Sequence, residues 1–334
     1  MISVLESLNT GLRACLRQNP DVVLLGEDLL DPYGGAFKVT RGLSTDFPEQ
    51  VITTPISEAG FSGAAVGMAL RGMRPVVEIM FGDFLTLAMD ALVNSAAKYP
   101  WMFNGQVSVP LTLRTPMGGY RGYGPTHSQS LEKMLLGTPG LRVLAPTHLG
   151  DPEALIRDCV LHNDQPTLFV EHKLLYGLPV YESWKPGEFE LTVSGNPETP
   201  HYALRISGAP APAVTMAAYG YMAEFAVRAM RTLAYEHEVF CELQTPTLLS
   251  PAGTVAILES VGRTRRLLTI EEASTPFGWG AEVVANIAEQ RQTAGWKLSR
   301  LGAADAPIPA AKSLEDQTLP QVEQIVQRAL EMVR

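Results

Sequence analysis

Val51-Ile52-Thr53-Thr54-Pro55-Ile56-Ser57-Glu58-Ala59-Gly60-Phe61-Ser62-Gly63-Ala64-Ala65-Val66-Gly67-Met68-Ala69-Leu70 opens as an apolar run and continues as a small-residue segment at helical spacing. A second apolar run, Val76 to Met80, follows it. Strand over 51–56, helix over about 59–70 and strand over 76–80 form one unit of an alternating chain, and such alternation predicts a parallel sheet with helices on both faces.

The same grammar extends in both directions. Upstream, Val4, Leu5, Leu8, Leu12 and Leu16 have helical spacing, and Asn19-Pro20 breaks the pattern before the strand Val22 to Leu25. Downstream come a helix from about Leu85 to Ala97, strands Leu111 to Thr115, Arg142 to Ala145 and Pro166 to Glu171, and a helix at about Pro152 to Leu161. This predicts a first α/β domain over 1–178. The stretch 179–212, with Trp184-Lys185-Pro186-Gly187 and Gly195-Asn196-Pro197, reads as a linker. Alternation resumes over 213–334 with strands Ala213 to Ala218, Val239 to Leu243 and Arg266 to Glu271. Its helices run from about 222 to 235, 254 to 261 and 280 to 290, with a last one from Leu319. The fold class is therefore α/β, with two doubly wound domains.

Composition excludes several classes of function. With 46% hydrophobic and 18% charged residues in 334, the chain can bury the cores of two domains. It has no run of 18 apolar residues, so no membrane span is expected, and a cytoplasmic location is the simplest expectation. A net charge of -9, with only a short basic cluster at Arg263 to Arg266, argues against nucleic acid as a partner. Cys15, Cys159 and Cys241 lie far apart, without zinc spacing, and read as buried thiols.

Two places are candidates for chemistry. Glu58 stands where a strand gives way to a helix, at the strand end where doubly wound sheets collect ligands, although the helix dipole alone also favours a glutamate there. Gly60, Gly63 and Gly67 bare one helix face, for close contact either with another subunit or with the domain's own sheet. The glycine-rich loop Gly118 to Ser130 is long and carries His127, a side chain that exchanges protons near neutral pH, or else it is a mobile surface loop. A dinucleotide fingerprint, a phosphate loop, HExxH and GxSxG are all missing.

Three ordered stretches carry a resemblance: Gly26-Glu27-Asp28 with Gly34 to Leu43, Thr54-Pro55-Ile56-Ser57-Glu58-Ala59-Gly60-Phe61, and Gly124-Pro125-Thr126-His127-Ser128-Gln129. Together with Asn94 to Lys98, Leu248 to Pro251, Glu271-Glu272 and Pro307 to Asp316, they resemble the beta subunit of the thiamine diphosphate-dependent 2-oxo acid dehydrogenases (the pyruvate, branched-chain and acetoin group), and more distantly transketolase. The resemblance implies a transketolase-like pyrimidine-binding domain at 1–178 and a transketolase C-terminal-like domain at 213–334.

It further implies that Glu58 hydrogen-bonds the aminopyrimidine ring of thiamine diphosphate, that Phe84 stacks on that ring, that Glu27 belongs to the cofactor site and that His127 transfers or orients protons. The loop at Val160, Asn163 and Gln165 matches one that holds potassium through backbone oxygens in some relatives. The family's GDG motif for diphosphate and magnesium lies on an alpha subunit, and Gly82-Asp83-Phe84 is not that motif. The implied assembly is therefore an α2β2 heterotetramer that decarboxylates a 2-oxo acid and passes the acyl group to the lipoamide of an acyltransferase. The linker and Ala252-Gly253 depart from the family, so an enzyme of a specialised pathway or a noncatalytic partner subunit are the alternatives.

Overall fold

In the computed structural model of the protein, residues 1–181, 187–290 and 295–334 are described. The strands are β1 (Val22–Gly26), β2 (Val51–Thr53), β3 (Arg74–Glu78), β4 (Thr112–Met117), β5 (Arg142–Leu144), β6 (Thr167–His172), β7 (Phe189–Asn196), β8 (Thr199–Ile206), β9 (Val214–Ala218), β10 (Cys241–Pro246), β11 (Leu248–Ser250), β12 (Arg266–Ser274) and β13 (Lys297–Ala303). Every residue of β1, β4 and β6 is buried, as expected of strands covered on both faces.

The first sheet has the order β11-β5-β6-β4-β3-β1-β2, and the second β13-β12-β9-β10-β8-β7. In the first sheet β1 to β6 pair in parallel, and β11 joins antiparallel to β5 although it lies in the second half of the chain. One apolar cluster spans both sheets, from Val77 and Leu113 to Ala217, Leu249 and Ile257.

Several expectations need correction. The stretch read as a linker contains the hairpin β7–β8, whose second strand pairs antiparallel with β10, so much of it belongs to the second sheet. Gly195-Asn196-Pro197 forms the hairpin tip, where Asn196 Oδ1 accepts from the Glu198 N–H at 3.1 Å; Trp184-Lys185-Pro186 lies outside the described residues. β2 stops at Thr53 because Pro55 has no N–H to continue a ladder. The helix expected over 85–97 is a 3₁₀ segment, Gly82–Ala88, followed by a π-helical turn, Ala91–Ala96. The helix Glu58–Leu70 matches its expected span to within one residue. All three cysteines are free and buried.

Across the middle of the first sheet, the Arg114 guanidinium, 1% exposed, lies between two acids. It donates to Glu171 Oε1 at 2.7 Å and to the Glu78 carboxylate, and the Tyr176 hydroxyl also donates to Glu171. Burial raises the Glu78 carboxyl, and Arg114 opposes that rise.

Candidate active site

The carboxyl ends of β1 to β4 lie along one edge of the first sheet, where doubly wound folds collect ligands. β1 delivers Glu27, the turn after β2 leads to Glu58, β3 leads to Phe81 and Phe84, and β4 opens the glycine-rich loop.

Glu58 is the first residue of its helix, where free backbone N–H groups favour negative charge. It is 5% exposed and has no hydrogen-bond or ion-pair partner among the described residues. Glu27 stands near it, and one of its oxygens, Oε1, is buried without a partner. Burial first, and then the charge of Glu58, push the Glu27 carboxyl up to about 7.

His127 sits in an aromatic enclosure. Its ring meets Phe81 edge-on at 4.8 Å and Phe84 at 5.3 Å between centroids, and Phe81 also contacts Tyr123 at 6.2 Å. Thr126 Oγ1 lies 3.1 Å from Nδ1, and Nε2 has no hydrogen-bond partner among the described residues.

Charged groups fix the loop that carries His127. Asp83 Oδ1 accepts from Gln129 Nε2 at 2.8 Å, and Glu272 accepts from the Gly119 N–H at 2.7 Å and Ser130 Oγ at 3.2 Å. Glu315 accepts from the Gly122 N–H at 3.1 Å. His172 lies 2.7 Å from Glu272 and stacks on Tyr221 at 4.6 Å. Burial would raise Glu272, but His172 and these donors hold its carboxyl below the usual range. Gly118 (φ +94°) is obligatory, because a Cβ there would fall 1.9 Å from His172 Nε2.

At the loop expected to hold potassium, the backbone carbonyls already have donors. Arg74 Nε donates to the Val160 carbonyl at 2.6 Å, and its Nη2 to that of Asn163 at 2.5 Å, while Gln165 O accepts from Asn163 Nδ2 at 2.6 Å. The Arg74 guanidinium thus takes one lone pair on each of the Val160 and Asn163 carbonyls, and the Asn163 amide one on that of Gln165; the second lone pair of each stays available. No cluster of His, Cys, Asp and Glu suited to a metal occurs among the described residues.

On the helix Glu58–Leu70, Gly60, Gly63, Ala64 and Gly67 are exposed, and a Cβ at Gly63 or Gly67 would meet nothing within 4 Å. The bare face thus turns away from the domain's own sheet. Sequence reasoning missed Phe81, Asp83 and Tyr123. It quoted Glu272 without giving it a role.

A partnerless buried carboxyl, an orphaned oxygen on Glu27 and the half-buried ring of Phe84 together suit a flat, nitrogen-containing heterocycle. Residues 1–179 match the family described as "Transketolase, pyrimidine binding domain", and residues 204–325 match "Transketolase, C-terminal domain". Over 332 residues the chain is 37% identical to the pyruvate dehydrogenase E1 component subunit beta-2, mitochondrial, of rice (Oryza sativa subsp. japonica), covering 98% of this chain and 85% of that one. It is 32% identical to the beta subunit of acetoin:2,6-dichlorophenolindophenol oxidoreductase of Bacillus subtilis, covering 100% and 97%. A solved split-gene transketolase, described as an inactive beta4 tetramer, superposes with a TM-score of 0.75 at 19% identity over 100% of this chain and 99% of that one, which supports the fold. The rice and yeast relatives are named mitochondrial, so they lend the cytoplasmic expectation no support. No described helix is long and apolar enough to cross a membrane.

Proposed function

This chain belongs to the beta-subunit family of the thiamine diphosphate-dependent 2-oxo acid dehydrogenases, and from that premise we propose that Glu58, Phe84, Glu27 and His127 are its share of a site completed by an alpha subunit. The observation that carries this reading is the buried Glu58 carboxyl, which lies at the strand-end edge with no partner of its own. Burying a carboxylate unpaired is costly, and a ligand that shares a proton with it removes that cost.

Bound thiamine diphosphate supplies the electron sink for loss of carbon dioxide from a 2-oxo acid. Glu58 would hold the aminopyrimidine ring by a hydrogen bond to its nitrogen, and Phe84 would give that ring an apolar face. Glu27, its carboxyl raised to about 7, is partly neutral at physiological pH and so repels the Glu58 charge less than a full carboxylate would. His127 Nε2 is the group that would give or take a proton at the substrate, with the rings of Phe81 and Phe84 limiting water around it. Magnesium and the diphosphate would be held mainly by the alpha subunit. The assembly would be an α2β2 heterotetramer, and the acyl group would pass to the lipoamide of an acyltransferase.

The bare face of the Glu58–Leu70 helix is the contact we assign to a neighbouring subunit. Calorimetric titration with thiamine diphosphate and magnesium is expected to show binding with the alpha partner present and none with this chain alone. Gly63→Leu should leave the isolated chain folded, since a better helix former there is favourable by up to about 1 kcal/mol. It should nevertheless block assembly and, with it, cofactor binding. Cofactor binding by this chain alone would refute the shared site.

A further inference from the structure

Lys173, immediately after β6, is 2% exposed, yet Glu58, Phe84, Glu27 and His127 leave it without a task. Its Nζ donates to the carbonyl of Gly118 at 2.7 Å and also to the carbonyl of His127, so one ammonium ties the start of the glycine-rich loop to the residue that carries the imidazole. It lies 5.3 Å from the centroid of Phe81 and 5.7 Å from that of Tyr123, two of the rings that enclose His127.

The other anchors hold the loop elsewhere: Asp83 at Gln129, Glu272 at Gly119 and Ser130, and Glu315 at Gly122. On the His127 peptide itself, the only other hold among the described residues is its own N–H, which meets Gly124 O at 3.3 Å. A buried ammonium is an expensive way to hold two carbonyls unless its charge and three donors are needed. Burial pulls Lys173 down to about 8, while Asp83 and Glu272 nearby favour its charged form.

We infer that Lys173 is a positioning residue for the reaction: by bridging the Gly118 and His127 carbonyls it sets the His127 imidazole between Phe81 and Phe84. This rests on the reading of His127 given above. In that role Lys173 does not touch cofactor or substrate. Losing it should therefore slow turnover without weakening cofactor binding, because the imidazole would drift while Glu58 stays in place.

The test uses the assembled enzyme with thiamine diphosphate, magnesium, a dye acceptor and pyruvate, or 2-oxoisovalerate if that is the preferred acid. Lys173→Met is expected to lower kcat by about 10- to 100-fold, the cost typical of a small misplacement of a reacting group. KM and the half-saturating cofactor concentration should move by no more than about two-fold. Lys173→Arg, which keeps a cation and its donors, should recover most of the loss. Added to His127→Ala, Lys173→Met should cost about two-fold or less, since residues acting through one group are not additive. If Lys173→Met fails to assemble, Lys173→Gln replaces it in the same cycle. Full additivity of the two losses, or a rise in the cofactor requirement in place of a fall in kcat, would overturn the inference. Unchanged kcat in His127→Ala would instead refute the reading of His127, and the role of Lys173 with it.

Discussion

Glu58→Ala in the assembled enzyme is expected to cut turnover of a 2-oxo acid by about 10²- to 10⁴-fold, the range usual for loss of a positioned acid or base. The folded chain should lose nothing, because the carboxyl makes no internal hydrogen bond or ion pair for the substitution to break. It should instead relieve repulsion at Glu27. The Glu27 carboxyl is raised to about 7 by burial and by Glu58, so the folded state binds more protons than the unfolded state between the ordinary glutamate value of 4.5 and about 7. Stability contributed by this group is thus full at low pH and lost as pH rises through that window. Removing Glu58 lowers the upper end of the window, so the variant's melting temperature should fall less between pH 5 and pH 8 than that of the natural chain. Parallel measurement of turnover and of melting at the two pH values checks both halves. Natural turnover in the variant would reduce this chain to a noncatalytic partner.

Arg114→Met should be the most destabilising single change in the first sheet. It leaves Glu78 and Glu171 buried and facing each other across β4, and breaking a buried ion pair from one side costs about 3–5 kcal/mol. In a protein of this size that is a fall of roughly 4–7 °C in melting temperature. The sign of the pH dependence is a second check. Without the guanidinium nothing opposes the rise that burial imposes on the Glu78 carboxyl, so the folded variant binds an extra proton and regains stability as pH falls from 8 towards 5. Adding Glu78→Gln and Glu171→Gln should recover part of the loss at neutral pH. An unchanged melting temperature in Arg114→Met would show that the three charges contribute nothing net.

Glu58 and His127 could be singled out because each lies in a short contiguous motif, and strand ends put such motifs on one edge of the sheet; Phe84 came only with the family resemblance. Arg114 was not, because within the run Leu111 to Thr115 it looks like an interruption; its partners stand 36 and 57 residues away. Lys173 was missed for the same reason, since a basic residue after a strand shows no sign of the carbonyls it will hold. Apolar spacing over 85–97 suggested an α-helix because a 3₁₀ segment followed by a π turn averages close to the α period. The hairpin β7–β8 escaped because five of the eight residues of β7 are exposed, leaving no alternation to detect. β13 is an edge strand with a single fully buried residue, equally quiet in sequence.

The antiparallel pairing of β11 with β5 means that the first sheet is finished by residues translated more than 100 positions later. Until Leu248–Ser250 arrive, β5 presents an open row of N–H and C=O groups beside a buried apolar surface, the kind of edge that recruits strands from other chains. A cut at the hairpin would therefore leave the amino-terminal half with that edge uncovered. Leu248–Ser250 thus act as a lid of backbone, borrowed from the far half of the chain, on the outer strand of the amino-terminal sheet.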